Sequence, residues 1–317
     1  MSDLTPRKVR PSLLERAAAT YDFKADARAP YALPAVDHPT PAIGAAQPRA
    51  DLPPAQPKRA RPVARQGHLA GAATIDRVML AERGLLVPGA AVGALAEEFR
   101  LVKRQLLATA RSVSKSDAEL SRLLLVSSAR PNDGKTYCAV NLALSLAAER
   151  DLEVLLIDAD FAKPDVMAQF GLAERAGLLD ALADPSIDVE ACVVRTDIPH
   201  LSLLPCGTRT PADTELVASA RTGTLITQLL TADPKRLLIF DSPPVLAASP
   251  ASVLAAQVGQ IMLVVRADRT SESDLREAIN LLDSCEHIQL LLNAVALTPG
   301  GRRFGDYYGY GQEEDAL

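Results

Sequence analysis

Six runs of Leu, Val and Ile constrain the fold of this chain more than any other feature. The runs do not alternate with polar residues, which is typical of strands buried on both faces of a parallel sheet. The stretches between them are long enough for crossover helices, so the pattern predicts an α/β fold with a doubly wound, mostly parallel sheet. The runs are LLLVSS (123–128), VLLID (154–158), LSLLP (201–205), LLIFD (237–241), IMLVV (261–265) and LLLNAV (290–295).

The two ends of the chain differ from this central pattern. Residues 1–65 hold 11 of the 23 prolines and carry 11 Lys/Arg against 6 Asp/Glu. We therefore expect residues 1–73 to form a disordered Pro/Ala/Arg-rich region. Its dispersed positive charges favour a solvated segment over a surface for anionic lipid or an acidic partner. The Gly- and Tyr-rich residues 299–317 show no core element and are expected to form a flexible tail.

Residues 74–120 are expected to form N-terminal helices ahead of a domain at 121–298. Thr74 is a candidate cap for a short helix that ends at Gly84. This helix would carry Ile75, Val78 and Met79 on one face. A second helix, ALAEEFRLVKRQLLATA, has an apolar stripe at helical spacing. The stripe consists of Leu95, Phe99, Val102 and Leu106.

Charge, cysteine usage and hydropathy exclude several classes of protein. The net charge of −5 argues against a nucleic-acid binder. None of the four cysteines is in a CxxC pair, so no zinc knuckle is indicated. The first residues lack the apolar core of a secretory signal. Prolines interrupt the uncharged run 242–265, which we interpret as loop, helix and strand, so a cytoplasmic location is expected.

The strongest local signal follows the first apolar run. Gly134, Lys135 and Thr136 lie between a predicted strand and a long predicted helix, as in the phosphate loop GxxxxGK[ST], although Ala129 occupies its first position. Backbone N–H groups at a helix N-terminus favour a polyphosphate. Lys135 would contact the β- and γ-phosphates and Thr136 would bind Mg²⁺. The predicted nucleotide-binding residues are Ala129, Arg130, Pro131, Asn132, Asp133, Gly134, Lys135, Thr136 and Tyr137.

Carboxylates follow two further predicted strands. Asp158 and Asp160 end VLLIDAD, and Asp241 ends LLIFD. Because open α/β sheets bind ligands at the carboxyl ends of their strands, we expect all three near the phosphate loop. A tyrosine hydroxyl has a pKa near 10, so a carboxylate that takes up its proton would help phosphoryl transfer. Asp158 is the candidate base, and Asp160 and Asp241 are candidates for Mg²⁺ or its water shell.

These segments resemble one family. The order ARPNDGKT, LLIDADFAKP and LLIFDSPPVL is similar to the bacterial tyrosine kinases (BY-kinases), which are relatives of septum-positioning and plasmid-partition ATPases. The similarity covers roughly residues 90–310 and includes PCGTRTPADTELVAS. Together with the EEFRLVKR helix and DSPP, it is greatest to tyrosine autokinases of exosortase/PEP-CTERM exopolysaccharide loci. The chain has Asn132 and Asp133 where Gly and Glu are common, and Ala162, followed by Lys163, at a frequent Arg position.

The resemblance implies an oligomer that phosphorylates itself. The ExxRxxR pattern of the family's oligomerisation helix is matched by Glu97, Arg100 and Lys103. Tyr307, Tyr308 and Tyr310 are three of only six tyrosines and lie within the last 11 residues. They are the expected phosphate acceptors between subunits, although a tail with an aromatic bias or a strand edge is the alternative. The family also implies ATP and Mg²⁺ as cofactors, and a separate membrane chain-length-determinant protein as activator.

Two other functions fit the same motifs. A partition-type ATPase switches with nucleotide and modifies no protein. That group commonly has lysine at the second loop position, where this chain has Arg130, and its membrane-binding members end in a basic amphipathic helix that is not seen here. A regulatory scaffold that binds nucleotide with little turnover is the other alternative. The tyrosine tail favours the kinase.

Overall fold

The apolar runs form strands of one seven-stranded sheet in the computed structural model, which describes residues 71–295. The sheet order is β3-β4-β2-β5-β1-β6-β7, and every neighbouring pair is parallel except β3 and β4. The predicted doubly wound, mostly parallel sheet is confirmed. The strands are β1 (Leu123–Ser128), β2 (Glu153–Asp158), β3 (Val194–Arg195), β4 (Leu201–Leu204), β5 (Arg236–Asp241), β6 (Gln260–Arg266) and β7 (Ile288–Asn293).

Helices cover both faces of this sheet. One face packs against α1 (Arg77–Glu82), α2 (Ala94–Val113), α3 (Lys135–Leu146) and α4 (Val166–Gln169). The other face packs against α5 (Leu178–Ala183), α6 (Asp213–Ala218), α7 (Ala220–Ala232), α8 (Pro250–Ala255) and α9 (Glu272–Leu281). Short 3₁₀ turns lie at Leu120–Arg122 and Val189–Cys192.

The unalternating composition of β1 follows from burial on both sides. Successive side chains of a strand point to opposite faces. Leu123 and Leu125 therefore join the core beneath α5–α9, whereas Leu124 and Val126 join the core beneath α1–α4. A polar residue on either face of this strand would be buried without a partner, which explains the continuous apolar run.

The last strand differs from the prediction. β7 lies at the edge of the sheet, and Leu290 and Leu292 are 53% and 58% exposed. The expectation of burial on both faces is wrong for β7. Leu291, on the opposite face, is partly buried against the core that contains α2 and α3.

The N-terminal helix begins later than predicted. Asp76, not Thr74, caps α1, because its Oδ1 accepts from the backbone N–H groups of Val78 and Met79 at 2.8 and 3.3 Å. A carboxylate at this position satisfies two otherwise free donors. Val78 is 66% exposed and Ile75 is buried just ahead of the helix, so the predicted shared face is wrong for these two residues.

The other local predictions agree with the structure. In α2, Phe99 and Leu106 are buried and the remaining stripe residues pack partly against the core. The uncharged run 242–265 forms a loop, α8 and β6. Within residues 71–295, no helix has the length and apolar character to span a membrane. Most of the predicted Pro-rich region and all of the tail lie outside the described residues.

Candidate active site

The predicted phosphate loop connects β1 to α3. Gly134 precedes α3 with a φ of +94°, which glycine adopts without strain. A Cβ atom at Gly134 would lie 2.2 Å from Nδ2 of Asn293, so there is also no space for a side chain. Lys135 and Thr136 form the first turn of α3, where backbone N–H groups have no helical partner. This strand–loop–helix geometry suits an anionic phosphate.

Strand register brings the predicted carboxylates together. β2 and β5 are neighbours, and Asp158 pairs with Asp241 along the sheet. Asp160 lies two residues beyond Asp158, and its Oδ2 is 2.7 Å from Nζ of Lys135. All three carboxylates are at most 2% exposed. Burial opposes the charge of Lys135, but Asp241, Asp160 and Asp158 outweigh it and raise the pKa of this lysine.

Asp158 is fixed by the backbone. Its Oδ2 accepts from the N–H groups of Asp165 and Val166, both at 2.9 Å, and its Oδ1 accepts from the N–H of Asp160 at 3.3 Å. Burial and the nearby charge of Asp241 raise the pKa of Asp158 well above its ordinary value, against the effect of the hydrogen bonds. A carboxylate with a raised pKa accepts a proton more readily.

Asp241 has a different environment. Neither of its buried carboxylate oxygens has a hydrogen-bond partner. Burial raises the pKa of Asp241 to about 7, although Lys135 and the hydroxyl of Thr136 act in the opposite direction. Thr136 is thus close enough to influence this carboxyl group, but without the geometry of a hydrogen bond. Buried carboxylate oxygens without partners are rare and call for a positive ligand.

An ion pair holds the first half of the loop. Nε and Nη2 of Arg130 donate to the two carboxylate oxygens of Asp274 at 2.7 and 2.8 Å. Asp274 also closes a capping box with Ser271 at the start of α9. The two-pronged contact therefore ties the phosphate loop to a helix on the other side of the sequence, and we call it the Arg130–Asp274 brace.

Two side chains hold the second half of the loop through its backbone. Nδ2 of Asn293 donates to the carbonyl of Asp133 at 2.9 Å, and Nη1 of Arg266 donates to the carbonyl of Asn132 at 3.2 Å. The buried carboxylate of Asp133 accepts from the N–H of Arg130 and the hydroxyl of Thr270. Asn132 itself has a φ of +67°. These contacts fix a strained backbone turn from both sides.

Sequence reasoning did not identify four of these supporting residues: Arg266, Thr270, Asp274 and Asn293. Two of them carried a usable signal. Asn293 is a polar residue at the end of an apolar run, as are the three catalytic candidates. Ser271 and Asp274 have the spacing of a capping box. Their contacts with the loop span 144 and 160 residues of sequence, so no local pattern reports them.

The remaining predicted loop residues fall into distinct positions. Ala129 is buried under the loop, whereas Arg130, Pro131 and Asn132 are exposed. The hydroxyl of Tyr137 donates to the carbonyl of Gly84 at 2.7 Å, so its side chain holds the segment after α1. Tyr137 can therefore serve the phosphate site only through its backbone, unlike Lys135 and Thr136.

The predicted oligomer contacts lie on α2. Glu97 and Arg100 form an ion pair on this helix. Lys103 is 8% exposed, and its Nζ lies 2.7 Å from Oε1 of Glu149 and 3.0 Å from the carbonyl of Ser145. Its ammonium is thus engaged within its own chain. The role of these three residues between subunits stays a prediction, and Tyr307, Tyr308 and Tyr310 lie outside the described residues.

Comparisons with known proteins point to one group. EpsB of Ralstonia solanacearum is 32% identical over 209 residues, which are 65% of this chain and 27% of EpsB. The tyrosine-protein kinase YwqD of Bacillus subtilis is 31% identical over 194 residues, which are 61% of this chain and 79% of YwqD. The crystal structure of the BceF tyrosine kinase domain is 26% identical with a TM-score of 0.53, covering 62% of this chain and 76% of that domain.

The extent of these matches differs between relatives. The chain spans little more than a quarter of the length of EpsB, at 27%, but most of YwqD. No family model matches the chain. The similarity to YwqD over most of that kinase, together with the fold shared with BceF, places the sequence. The chain belongs to the family of bacterial tyrosine-protein kinases.

Proposed function

We propose that this chain is an ATP-dependent protein-tyrosine kinase that phosphorylates the C-terminal tyrosines Tyr307, Tyr308 and Tyr310 of a neighbouring copy. The observation that carries this proposal is the ion pair of Lys135 with Asp160 between two further buried carboxylates at a helix N-terminus. Membership of the tyrosine-kinase family supports it. So does the presence of three tyrosines in one short segment of a chain with 4% aromatic residues.

The loop and α3 would bind the phosphates of ATP. The free backbone N–H groups after Gly134 and the ammonium of Lys135 supply positive potential for the β- and γ-phosphates. The Arg130–Asp274 brace and the bonds from Asn293 and Arg266 hold those N–H groups in place. Phosphoryl transfer depends chiefly on such positioning and charge neutralisation.

The residues present fit a magnesium ion. Asp241 has two buried oxygens without partners, and Thr136 and Asp160 lie beside Lys135 in the same site. Mg²⁺ prefers oxygen ligands and is commonly held by one or two carboxylates together with phosphates and water. Within residues 71–295, no group of three or more His, Cys, Asp or Glu is arranged as a metal site of its own, which is consistent with an ion shared with the nucleotide. When bound, the ion would neutralise charge on the phosphates.

The chemical step exchanges one P–O bond for another. The tyrosine oxygen forms a bond to the γ-phosphorus as the bond to the β–γ bridging oxygen breaks, and ADP leaves. Asp158 takes up the phenol proton, since its raised pKa makes it a better acceptor than an ordinary aspartate. Lys135 neutralises the negative charge that develops on the leaving phosphate.

The cellular role rests on the resemblance of the motifs to exopolysaccharide-locus autokinases. We propose that the kinase regulates exopolysaccharide synthesis or export from the cytoplasmic side of the inner membrane. Its activator would be a membrane chain-length-determinant protein, and its active form a homo-oligomer. Replacing the gene with a Lys135→Met allele is expected to alter the amount or length of secreted polysaccharide, and unchanged polysaccharide would refute this role.

A direct experiment separates the kinase from a partition-type ATPase. Purified full-length chain is incubated with Mg-ATP, and phosphate is located by mass spectrometry. Phosphate on Tyr307, Tyr308 or Tyr310 is the expected result. Deletion of residues 306–311 should end this labelling and leave ATP binding intact. Hydrolysis of ATP without phosphotyrosine would instead support the ATPase, and labelling at other residues would redirect the choice of acceptor.

A further inference from the structure

A small cleft opens beside the catalytic carboxylates. It has a volume of about 220 Å³ and lies where three loops meet. One wall is formed by Phe161 and Ala162, which directly follow Asp160. A second wall is formed by Pro243 and the residues leading into α8, which follow Asp241. The cleft therefore borders the two loops that leave the carboxylates.

The third wall comes from the start of α6. Pro211 and Thr214 line this side, opposite Ala248 and Pro250. Three prolines in the lining restrict backbone motion, because the proline ring fixes φ. Phe161 and the prolines make the walls largely apolar, and the carboxylate of Asp213 lies at the boundary. A rigid, narrow, apolar cleft suits a flat ring with one polar atom better than a flexible polar chain.

A larger groove elsewhere lacks the chemistry. It has a volume of about 840 Å³ and lies along α7, where Thr227 and Thr231 line it together with Glu190. Glu190 is paired with Arg236, the first residue of β5. The groove thus lies near the amino end of that strand, away from Asp241 at its carboxyl end. It provides an internal comparison for the smaller cleft.

The chain itself contains a suitable occupant. Tyr307, Tyr308 and Tyr310 are interleaved with Gly309 and Gly311, so a ring can enter without a bulky side chain on every neighbour. Residue 307 follows Asn293 by 14 positions. At about 3.3–3.6 Å per residue, such a segment spans at most about 46–50 Å. Four strand spacings, from β7 to β2, amount to only about 19 Å, so tail length does not limit access.

We propose that the cleft between Phe161, Pro211 and Pro243 binds the aromatic ring of the acceptor tyrosine, supplied by the Tyr307–Tyr310 segment of a second copy of this chain. We call it the acceptor cleft. The inference rests on the proposed kinase function and adds the site that selects tyrosine. The ring lies between the apolar walls, and its hydroxyl faces the carboxylate side. Serine and threonine lack the ring and gain nothing from these walls.

The test uses the full chain and synthetic peptides of residues 301–315. The first peptide has the natural sequence and is the acceptor. In the second, all three tyrosines are Phe, and in the third they are Ser. The Phe peptide is expected to inhibit phosphorylation of the natural peptide competitively, because it keeps the rings and lacks the hydroxyls. The Ser peptide is expected to be neither acceptor nor inhibitor.

Filling the cleft should weaken this recognition. Ala248→Leu is expected to raise the KM of the natural peptide and the Ki of the Phe peptide by about tenfold, the discrimination that a few methylene groups give in an apolar pocket. Thr214→Trp does the same from the opposite wall, at an exposed position of α6 where folding is not at risk. Ala232→Leu, at the end of α7 in the larger groove, is the matched control and should leave both values unchanged. MgADP affinity, measured in parallel, reports whether the nucleotide site is intact.

The outcomes separate the two proposals. If the wild-type chain labels no tyrosine on any peptide, the kinase function fails and the cleft with it. If the natural peptide is labelled but Ala248→Leu and Thr214→Trp both behave like Ala232→Leu, the kinase stands and the acceptor cleft is overturned. Inhibition by the Ser peptide as strong as by the Phe peptide would also overturn it.

Discussion

The ammonium of Lys135 and the carboxylate of Asp160 form an ion pair, with 2.7 Å between Nζ and Oδ2. Asp158 and Asp241 lie in the same buried site, so three acidic groups share one lysine. Raised pKa values at Asp158 and Asp241 express this excess of acid groups, together with their burial. A nucleotide adds further negative charge, so we expect tight ATP binding to require a divalent cation.

Asp241 should make stability depend on pH. Folding raises the pKa of this carboxyl group from an ordinary value of 3.8 to about 7. Between those values the folded state binds more protons than the unfolded state, so the free energy of unfolding falls as pH rises. Asp241→Asn removes this loss. Relative to wild type, the variant should gain about 1–3 kcal/mol between pH 5 and pH 8 in urea denaturation, the usual size for a buried polar group.

The control for this prediction is Asp151→Asn, at an exposed position before β2. Its stability should follow that of the wild type across the same pH range. If the Asp241→Asn and wild-type curves are parallel from pH 5 to pH 8, Asp241 does not titrate in the folded chain as described.

The Arg130–Asp274 brace should matter for nucleotide binding. Arg130→Ala and Asp274→Asn each release one side of the phosphate loop, so each should weaken MgADP binding several-fold. The double variant should be little worse than either single variant, because both remove the same contact. Isothermal titration of the four proteins measures the coupling. Glu272 and Arg276 form an exposed pair on the same helix, and the matching cycle there should show no effect.

Additive losses at Arg130 and Asp274 would contradict the brace. So would equal losses at Glu272 and Arg276, because that pair does not touch the loop.

Two residues of α2 should have separable effects. Lys103→Met removes an ammonium that bonds to Glu149 and to the carbonyl of Ser145. It should lower the free energy of unfolding by about 1–2 kcal/mol, because the carbonyl loses its charged donor. Arg100→Ala should instead reduce oligomer size in sedimentation velocity, with little loss of stability. Arg104→Met, exposed on the same helix, is the control for both measurements.

The opposite assignment would correct the resemblance-based prediction. If Lys103→Met dissociates the oligomer without lowering stability, its ammonium acts between subunits and not within the chain.

Local patterns predicted the parts of the structure that local physics determines. The run at 123–128 had to be a strand buried on both faces, and Gly134 had to begin a helix after it. The Asp158–Asp241 proximity also followed, because both residues end parallel strands. The capping of α1 by Asp76 was missed because Thr74 and Asp76 are both plausible caps, and only the folded backbone distinguishes them.

Longer-range features could not be predicted in the same way. The exposure of Leu290 and Leu292 depends on the position of β7 at the sheet edge, which no pattern within the run specifies. The contact between Asn293 and the loop joins residues 160 positions apart. The inward orientation of Lys103 arises from Glu149 on a neighbouring segment, although its spacing on α2 matched a surface motif.

A mixed-subunit experiment tests the central claim most directly. One full-length chain carries Lys135→Met and an intact tail, and the other carries an intact site with Tyr307, Tyr308 and Tyr310 changed to Phe. Lys115→Met, at an exposed position, replaces Lys135→Met in the control mixture. After incubation with Mg-ATP, we predict phosphotyrosine on the tail of the Lys135→Met chain only when the two chains are mixed. Labelling of the Lys135→Met chain on its own, or no labelling in the mixture while the wild type labels itself, would contradict transfer by this site to a neighbouring copy.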